Sequence, residues 1–431
     1  MAGRRRPPAD DRAGRSLGPV NRSGPCRRAA RLGLSGQGRA RYVGAPMPVL
    51  FLIVFVDLVG FGIVIPLLPF YAEHFGAGPE RVTLVMATYS LAQFVAAPIW
   101  GRLSDRIGRR PVLMISLAGA VASYLLLAVA SSLAMVFLAR ALAGFTAGNI
   151  AAAQAMIADR TPPDRRARGM GIIGAAFGLG FILGPAIGGV LAGHDPARID
   201  YVAPALAAAA LSALALLGVL FALREDRAAA LDGLAPSRRS RLEAARSVLS
   251  RGALALLVGL GFLMIAVFAA METTFALWSS RTFGWGPAQN GYLFAFVGTI
   301  GAVLQGLAIG PLTARHGEGR LLTIGCGLLA FGLAGIAIAT SIATLVIASM
   351  MLAAGFALAS PSLTSLISKS AGAHEQGTVL GVYQSAASLA RVAGPSAAGV
   401  AFAQIGKEAP FAIGAGVMVA VVVLAIRAGR R

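Results

Sequence analysis

Residues 101–111 read GRLSDRIGRRP, a polar stretch with four arginines and one aspartate between two apolar runs. Those runs, 83–101 and 112–130, are each 19 residues long. That length lets a helix cross a hydrocarbon layer of roughly 30 Å. The later stretch 310–317, GPLTARHG, repeats glycine, leucine, arginine and glycine at the spacing of 101–108, 209 residues further on. A loop between membrane spans that recurs in this way indicates a duplicated membrane protein.

The composition extends this interpretation to most of the chain, because 57% of its 431 residues are hydrophobic and only 13% are charged. Soluble domains carry about 25% charged residues. A second repeat supports duplication, since Gly184-Pro185 and Gly394-Pro395 stand 210 residues apart. The predicted membrane spans are 49–71, 83–101, 112–130, 134–156, 171–193, 204–223, 253–277, 289–311, 321–340, 343–366, 379–401 and 410–427.

The longest polar connection, 224–252, divides these twelve spans six and six. We therefore expect an all-α membrane protein with two related six-helix bundles, 47–223 and 253–431, joined by that linker. The basic stretch 1–46 has no apolar periodicity and is expected to be a disordered tail. Two interpretations of it stay open, a natural tail or an addition upstream of a start at Met47.

The net charge of +20 is distributed as a topology signal. The loops on one side of the predicted spans, with the C-terminus, hold 21 Lys and Arg residues, and the loops on the other side hold four. Because cytoplasmic loops carry the excess of basic residues, we expect both termini in the cytoplasm. The same distribution argues against a nucleic-acid-binding face.

The sequence contains no pattern typical of an enzyme or of a cofactor site. All four histidines fall in predicted loops, and the two cysteines, Cys26 and Cys326, lack metal-ligand spacing. Motifs for zinc hydrolysis or for a phosphate-binding loop are absent. We expect no cofactor, no metal and no enzymatic activity.

Three motifs resemble those of the major facilitator superfamily. Residues 101–111 match its signature loop, G-x-L-[SA]-D-R-x-G-R-[RK]-P, at nearly every position. Arg140 and Gly144 resemble its R-x-x-x-G element, and the run from Gly178 to Gly189 resembles the antiporter motif of its proton-coupled drug exporters. The resemblance covers 48 to about 425, and it implies a twelve-helix transporter that works by alternating access.

Within this family the chain is most similar to the tetracycline-efflux branch. The residues that carry this likeness are Asp57, Gly60, Gly62, Pro66, Pro69, Ser104, Asp105, and the runs 283–285 and 374–377. Two features depart from that branch: Ser123 stands where tetracycline pumps carry an acid, and no predicted span contains a histidine. The departures argue against tetracycline itself as the substrate.

The signature loop is a candidate cytoplasmic gate. An aspartate there can accept hydrogen bonds from an arginine or from the exposed N–H groups of a helix N-terminus, closing one face of the protein. Alternatively, its arginines only set topology. The candidate gate residues are Gly101, Ser104, Asp105, Arg106, Gly108, Arg109 and Arg110.

Four charged residues inside the spans are candidates for proton coupling. Acids in the hydrocarbon region are rare and usually face a cavity or a partner. Asp57 and Arg140 differ in depth by about 7 Å along the membrane normal, which an arginine side chain can bridge. Protonation of Asp57 would release Arg140, although a static ion pair fits the sequence as well. For Glu272 and Arg391, three roles are open, mutual pairing, substrate binding or a second proton, and Glu272 could instead extend to the interface.

Other residues are candidates for a seal and for the substrate cavity. The small residues Gly180, Gly184, Pro185, Gly188 and Gly189 suit a tight seal between the halves or ordinary helix packing. Polar candidates for the cavity, each of which could equally form a helix–helix hydrogen bond, are Tyr89, Gln93, Asn149, Gln154, Tyr292, Gln305, Tyr383 and Gln384. Apolar candidates, more often packing residues, are Met264, Phe268, Met271 and Trp278.

These features together predict a proton-coupled antiporter that exports a hydrophobic or amphipathic drug-like compound. We expect a multi-pass protein of the bacterial inner membrane, monomeric, with a small-molecule substrate, protons and lipid as its partners. The alternatives are a metabolite importer or exporter on the same fold, and a receptor or scaffold that no longer transports. The sequence leaves the substrate and the proton stoichiometry open.

Overall fold

The computed structural model describes residues 47–148, 152–153, 156, 166–195, 198–223, 241–371 and 375–429. Within these ranges the regular structure is entirely helical. The first seven helices are α1 (Met47–Val64), α2 (Leu68–His74), α3 (Pro79–Ile107), α4 (Arg109–Ala128), α5 (Leu133–Phe145), α6 (Arg166–Ala192) and α7 (Val202–Ala222). The other eight are α8 (Arg241–Leu249), α9 (Gly252–Phe283), α10 (Pro287–Val303), α11 (Ile309–His316), α12 (Glu318–Ala337), α13 (Ile342–Lys369), α14 (Gln376–Gln404) and α15 (Ala409–Gly429).

Nine helical segments of the described chain are long and apolar enough to cross a membrane. Shorter apolar helices, Leu133–Phe145 and Gly178–Ala192, account for two more predicted spans, and α14 accounts for the last. The fourth predicted span, 134–156, extends beyond α5 into residues that are only partly described. Many large apolar side chains are exposed on the outer surface, Phe221 at 82% and Ile338 at 78%. That surface suits lipid better than water, and the protein is an all-α membrane protein.

Two breaks interrupt long spans, each with a local cause. Pro66 and Pro69 bracket the junction of α1 and α2, where a 3-10 turn, Ile65–Leu67, replaces α-helical geometry. Between α10 and α11 the helix widens into a π-turn, Leu304–Ala308. The predicted linker 224–252 is described only from residue 241 onward, where it forms α8 and then enters α9.

The internal repeat is visible in the turns. Gly108 ends α3 and precedes α4 with a φ of +97°, and Gly317 separates α11 from α12 with a φ of +76°. Positive φ is easily adopted only by glycine, which explains the glycine at both positions. Ser132 and Ser341, also 209 residues apart, accept hydrogen bonds from the backbone N–H of Met135 and Thr344 and cap α5 and α13.

The most extensive packing between the N-terminal half (47–223) and the C-terminal half (253–431) is that of α6 on α10 and of α3 on α14, and α9 also contacts α2 and α3. Within the halves, α1 packs on α6 and α7, and α9 packs on α14. We call the end of the molecule that carries Gly108 and Gly317 the basic end. The end that carries the turns at Gly76 and Gly284 is the opposite end.

Candidate substrate cavity

Asp57 lies on α1 and is only 6% exposed. Its Oδ1 accepts a hydrogen bond of 3.1 Å from Ser212 Oγ, on α7. Gly60 makes this approach of α7 to α1 feasible, because a Cβ on Gly60 would lie 3.2 Å from the carbonyl oxygen of Ala208. The buried carboxyl group therefore has a fixed polar partner in its own half.

Arg140 lies on α5 and is 4% exposed. Its guanidinium carbon stands 4.6 Å from the centre of the Tyr89 ring, which is a cation–π contact. Gly144, one turn along α5, allows the two helices to meet here, since a Cβ at that position would lie 2.9 Å from the Cα of Tyr89.

The expected ion pair between Asp57 and Arg140 is absent, although the structure describes both side chains. Arg140 Nε is buried and has no hydrogen-bond partner in the part of the chain that the structure describes. The sequence gives only the depths of Asp57 and Arg140 along the membrane normal. The direction in which each side chain leaves its helix places Asp57 against Ser212 and Arg140 against Tyr89.

Glu272 on α9 and Arg391 on α14 face each other in the C-terminal half without a direct ion pair between these two described residues. Arg391 Nη2 instead donates to Ser388 Oγ, on its own helix, at 3.1 Å. The mutual pairing considered from the sequence is therefore not present in this structure, although the two charges are close enough to interact electrostatically.

All four charged side chains line one cavity of about 770 Å³ between the halves. Drug-sized ligands occupy cavities of about 300–1,000 Å³. Three predicted polar residues, Tyr89, Gln93 and Gln384, also line it. Aromatic side chains that the sequence did not single out complete its wall: Phe61, Phe94, Trp100, Tyr124 and Phe181.

The helical periodicity of the sequence could have identified more of the residues that line this cavity. On α14, the lining residues Gln384, Ser388 and Arg391 recur every three or four positions, as does the run from Tyr89 to Trp100 on α3. Starting from Arg391 or Tyr89 and following one helix face would have identified Ser385, Ser388 and Trp100.

Several predicted cavity residues lie elsewhere. Tyr292 is 48% exposed and Gln305 is also on the surface, whereas Tyr383 is buried with its ring against Gly261. Their positions on α10, the π-turn and α14 direct them away from the cavity. Asn149 and Gln154 lie outside the described residues.

The apolar candidates are packing residues. Met264, Met271 and Trp278 are buried in a hydrophobic core that includes residues of both halves, and none of the three lines the cavity. Phe268 stacks on Phe356 with ring centres 4.0 Å apart. In a bilayer protein most side chains are apolar, so residue type alone does not separate packing from substrate contact.

The predicted seal is a stack of three helices in which glycine allows backbone contact. A Cβ on Gly184 would lie 2.6 Å from the Cα of Gly62, on α1. On the other side of α6, a Cβ on Gly189 would lie 2.7 Å from the carbonyl oxygen of Pro287, on α10. Gly180 and Gly188 contact α1 in the same way, and Pro185 contacts Gly291. Thus α6 is held between α1 and α10, one from each half.

The opposite end is also joined by an ion pair between the halves. Arg281 Nη2 on α9 lies 3.2 Å from Glu73 Oε1 on α2. The guanidinium of Arg281 also stands 4.9 Å from the centre of the Phe402 ring, and its backbone carbonyl accepts from Lys407 Nζ at 3.4 Å.

At the basic end, two arginines of the candidate gate donate hydrogen bonds within the N-terminal half. Arg109 Nη1 donates to Ser104 Oγ at 2.8 Å, and Arg110 Nη2 donates to the carbonyl oxygen of Leu220, in the last turn of α7, at 2.8 Å. Arg106 is exposed, and Gly101 has open space around its Cα. The Asp105 side chain lies outside the described part.

Arg251 and Glu375 form another ion pair at the basic end, within the C-terminal half. Arg251 Nη1 lies 2.6 Å from Glu375 Oε2, tying the start of α9 to the start of α14. The hydrogen bond and the charge of Glu375 raise the pKa of Arg251 above its usual value. No cluster of three or more metal-ligating side chains occurs among the described residues.

One family model and several known proteins match most of this chain. The family model of the Major Facilitator Superfamily matches residues 50–395 and 307–431. The chain is 35% identical to the tetracycline resistance protein, class E, of Escherichia coli over 349 residues, 80% of this chain and 84% of that one. It is 28% identical to major facilitator superfamily domain-containing protein 10 of Bos taurus over 421 residues, covering 82% and 86%.

Two solved structures have the same architecture. The human organic anion transporter MFSD10 (TETRAN) is 27% identical with a TM-score of 0.65, over 88% of this chain and 98% of that one. The nucleoside transporter NupG is 14% identical with a TM-score of 0.72, over 89% and 99% of the two chains. At that identity the second likeness concerns the fold alone.

Proposed function

This chain belongs to the Major Facilitator Superfamily, and on that basis we propose that it exports a hydrophobic or amphipathic compound in exchange for protons. The members it resembles are transporters rather than enzymes. We place the protein in a bacterial inner membrane, with both termini in the cytoplasm.

The observation that carries this proposal is the cavity of about 770 Å³ with charged groups from both halves. Asp57 and Arg140 come from the first half, Glu272 and Arg391 from the second. Charged side chains at membrane depth are costly, and they are usually found where they meet a substrate, an ion or a water-filled space. Aromatic residues around them suit an apolar or amphipathic molecule.

Alternating access is supported by the different contacts at the two ends. The opposite end is closed by backbone contacts of α6 and by the Glu73–Arg281 ion pair. At the basic end, two hydrogen bonds of the signature loop, from Arg109 to Ser104 and from Arg110 to Leu220, lie within the N-terminal half. In the proposed cycle, the contacts at the opposite end open when a contact between the halves forms at the basic end.

Proton coupling is proposed at Asp57, with Arg140 as its alternating partner. A carboxylate close to a guanidinium is stabilised in its charged form, and protonation removes that attraction. In this structure Arg140 is away from Asp57, the arrangement that protonation of Asp57 would favour. Return of Arg140 to Asp57 would accompany loss of the proton.

The direction of transport and the kind of substrate are inferred from relatives and from the cavity. Six relatives among those compared are named tetracycline resistance proteins. Ser123, which stands where those pumps carry an acid, is buried in this protein at 1% exposure. We therefore propose efflux of a drug-like compound other than tetracycline.

A second candidate is transport of an organic anion, the class named for the human relative. The observation that favours it is Arg140, which is buried and contacts no carboxylate among the described residues. The two candidates differ in the sign of coupling. Protonation of Asp57 would leave Arg140 available to an anion, so an anion would move in the same direction as the proton. A compound that competes with the proton for a carboxylate would move in the direction opposite to the proton.

The experiment is transport in proteoliposomes with an imposed pH gradient, recording substrate and proton movement together. Export should acidify the compartment that the substrate leaves, and Asp57→Asn should abolish proton movement while leaving exchange of labelled for unlabelled substrate. Asp200→Asn is the matched control, since Asp200 is exposed and caps α7 at the opposite end. Proton and substrate moving in the same direction would favour the anion candidate. If Asp57→Asn moves protons as fast as the wild type, the coupling residue is another, with Glu272→Gln the next variant to measure.

A further inference from the structure

The Arg140 side chain is held by an aromatic ring rather than by an acid. Its guanidinium carbon is 4.6 Å from the centre of the Tyr89 ring, and its Nε has no hydrogen-bond partner. A guanidinium at 4% exposure that pairs with no acid among the described residues is costly in a membrane protein. The face of an aromatic ring offsets part of that cost, because its quadrupole attracts cations.

The position of Tyr89 is itself fixed from two sides. Gly144 brings the backbone of α5 against the backbone of Tyr89, so that the ring and Arg140 come from helices in close contact. The ring of Phe61, on α1, lies 5.3 Å from the Tyr89 ring and is tilted by 44°. A ring supported in this way can receive the guanidinium repeatedly at one place.

We propose that Tyr89 is the positioning residue that holds Arg140 whenever Arg140 is not paired with Asp57. Arg140 then has two alternative partners, the Asp57 carboxylate and the Tyr89 ring. The fraction of time that Arg140 spends at each partner sets the pH at which the protein exchanges its proton. This inference rests on the proposed function, because it assigns a role in proton coupling to a residue of the same cavity.

Other polar groups surround Asp57 and Arg140 and also affect the pH at which Asp57 is protonated. Ser212, on α7, donates to Asp57, and Tyr124, on α4, lines the same cavity. From the other half, Arg391 on α14 and Glu272 on α9 line the cavity as well. Among the residues that the structure describes, only Tyr89 is in cation–π contact with Arg140.

Removing the ring has a predictable direction. In Tyr89→Leu, Arg140 loses the cation–π contact with the ring and spends more time paired with Asp57, which stabilises the charged carboxylate. A higher proton concentration is then needed to protonate Asp57. We expect the pH of half-maximal transport to fall by about one unit, a tenfold change in proton concentration or about 1.4 kcal/mol. Tyr89→Phe retains the ring and should keep the wild-type midpoint within a few tenths of a pH unit.

The experiment measures transport against pH in proteoliposomes for the wild type, Tyr89→Phe, Tyr89→Leu and Phe94→Leu. Phe94 is the matched control, since it is an aromatic residue of the same helix and cavity that is not in cation–π contact with Arg140. Phe94→Leu is expected to change substrate affinity without moving the midpoint.

Three outcomes separate the hypotheses. A fall in the midpoint for Tyr89→Leu alone supports the inference. A changed substrate KM with an unchanged midpoint would make Tyr89 a substrate contact only and would overturn it. A wild type without proton-linked transport would contradict the proposed function instead, so the two failures are distinguishable. Should Tyr89→Leu fold poorly, Tyr89→Met provides a second variant that fills the space without a ring.

Discussion

Arg281 and Glu73 join the two halves of the protein across the opposite end, with Nη2 of the arginine 3.2 Å from Oε1 of the glutamate. The two side chains are 44% and 31% exposed, so the pair is only partly screened from water. Exposed ion pairs of this kind contribute about 0.2–1 kcal/mol. In the proposed cycle, the pair therefore biases the equilibrium between the open and closed states of this end without locking it.

The first prediction follows from this ion pair. Arg281→Gln should open the opposite end modestly, by roughly a factor of two to five in the ratio of the two states. Spin labels on the two halves at that end would report the change as a longer distance. Glu73→Arg should open it further, and the charge swap Glu73→Arg with Arg281→Glu should restore closure. Without restoration by the swap, the pair would have no role in closure.

The second prediction concerns the glycine contact between α1 and α6. Gly184→Ala should separate the helices, because its Cβ would lie 2.6 Å from the Cα of Gly62. Overpacking of this kind costs about 1–2 kcal/mol, a factor of roughly 5 to 30 in an equilibrium. Gly178→Ala is the matched control on the same helix, since its Cβ would meet nothing nearer than Ala302 at 3.7 Å. We expect a lower unfolding temperature and a proton leak in the first variant only. Equal behaviour of both alanine variants would contradict a sealing role.

The third prediction concerns Ser212, the hydrogen-bond donor to Asp57. A hydrogen bond to a carboxylate favours its charged form, so its loss in Ser212→Ala should raise the pH of half-maximal transport by up to about one unit. This shift is opposite in sign to the one expected for Tyr89→Leu. Ser123→Ala, another buried serine of the N-terminal half, should leave the midpoint unchanged. A shift in the acid direction for Ser212→Ala would show that the hydroxyl serves the protonated form.

The fourth prediction concerns the signature loop. Arg110 donates to the carbonyl oxygens of Val219 and Leu220, which lack partners within α7 because they lie in its last turn. Arg110→Gln should lower the free energy of unfolding by about 1 kcal/mol, since the contact is partly exposed. Arg106→Gln changes the same charge at an exposed position and should cost less. Thermal unfolding in detergent, followed by tryptophan fluorescence, measures both variants. Equal losses would assign the effect to net charge.

The fifth prediction is the orientation. With 21 basic residues on one side of the spans and four on the other, residue 235 should face the cytoplasm. A fluorescent reporter fused after residue 235 should be active, and a phosphatase fused there should be inactive. Fusions after Gly286 should give the reverse pattern. Phosphatase activity at residue 235 would invert the orientation that we propose.

The helical architecture was predictable because the hydrocarbon layer imposes one length and one polarity on every span. The glycine turns at Gly108 and Gly317 were predictable too, since the repeated spacing marked both positions. The charged residues of the cavity were found for a related reason. Burying Asp57 or Glu272 against lipid is so costly that a charged residue within an apolar run indicates an internal space.

The cavity wall was harder to predict, because in a bilayer the lipid-facing and core-facing sides of a helix are both apolar. Trp278 and Trp100 are the same residue type within apolar helices and both are buried, yet only Trp100 lines the cavity. The partner of Arg140 was missed for a geometric reason. Sequence position gives the depth of a residue, whereas the direction of its side chain depends on how the helices rotate against each other.

The contact of α6 with α1 and α10 has an evolutionary consequence. The glycines at this interface have no room for a Cβ, and every substitution of a glycine adds at least that atom. Mutational drift at these positions can therefore only widen the interface, so selection for new substrates has little usable variation there. Variation that broadens the range of transported compounds should accumulate instead around the aromatic wall, at positions such as Phe61, Phe94 and Phe181. Replacement by a smaller side chain there enlarges the space without separating the helices.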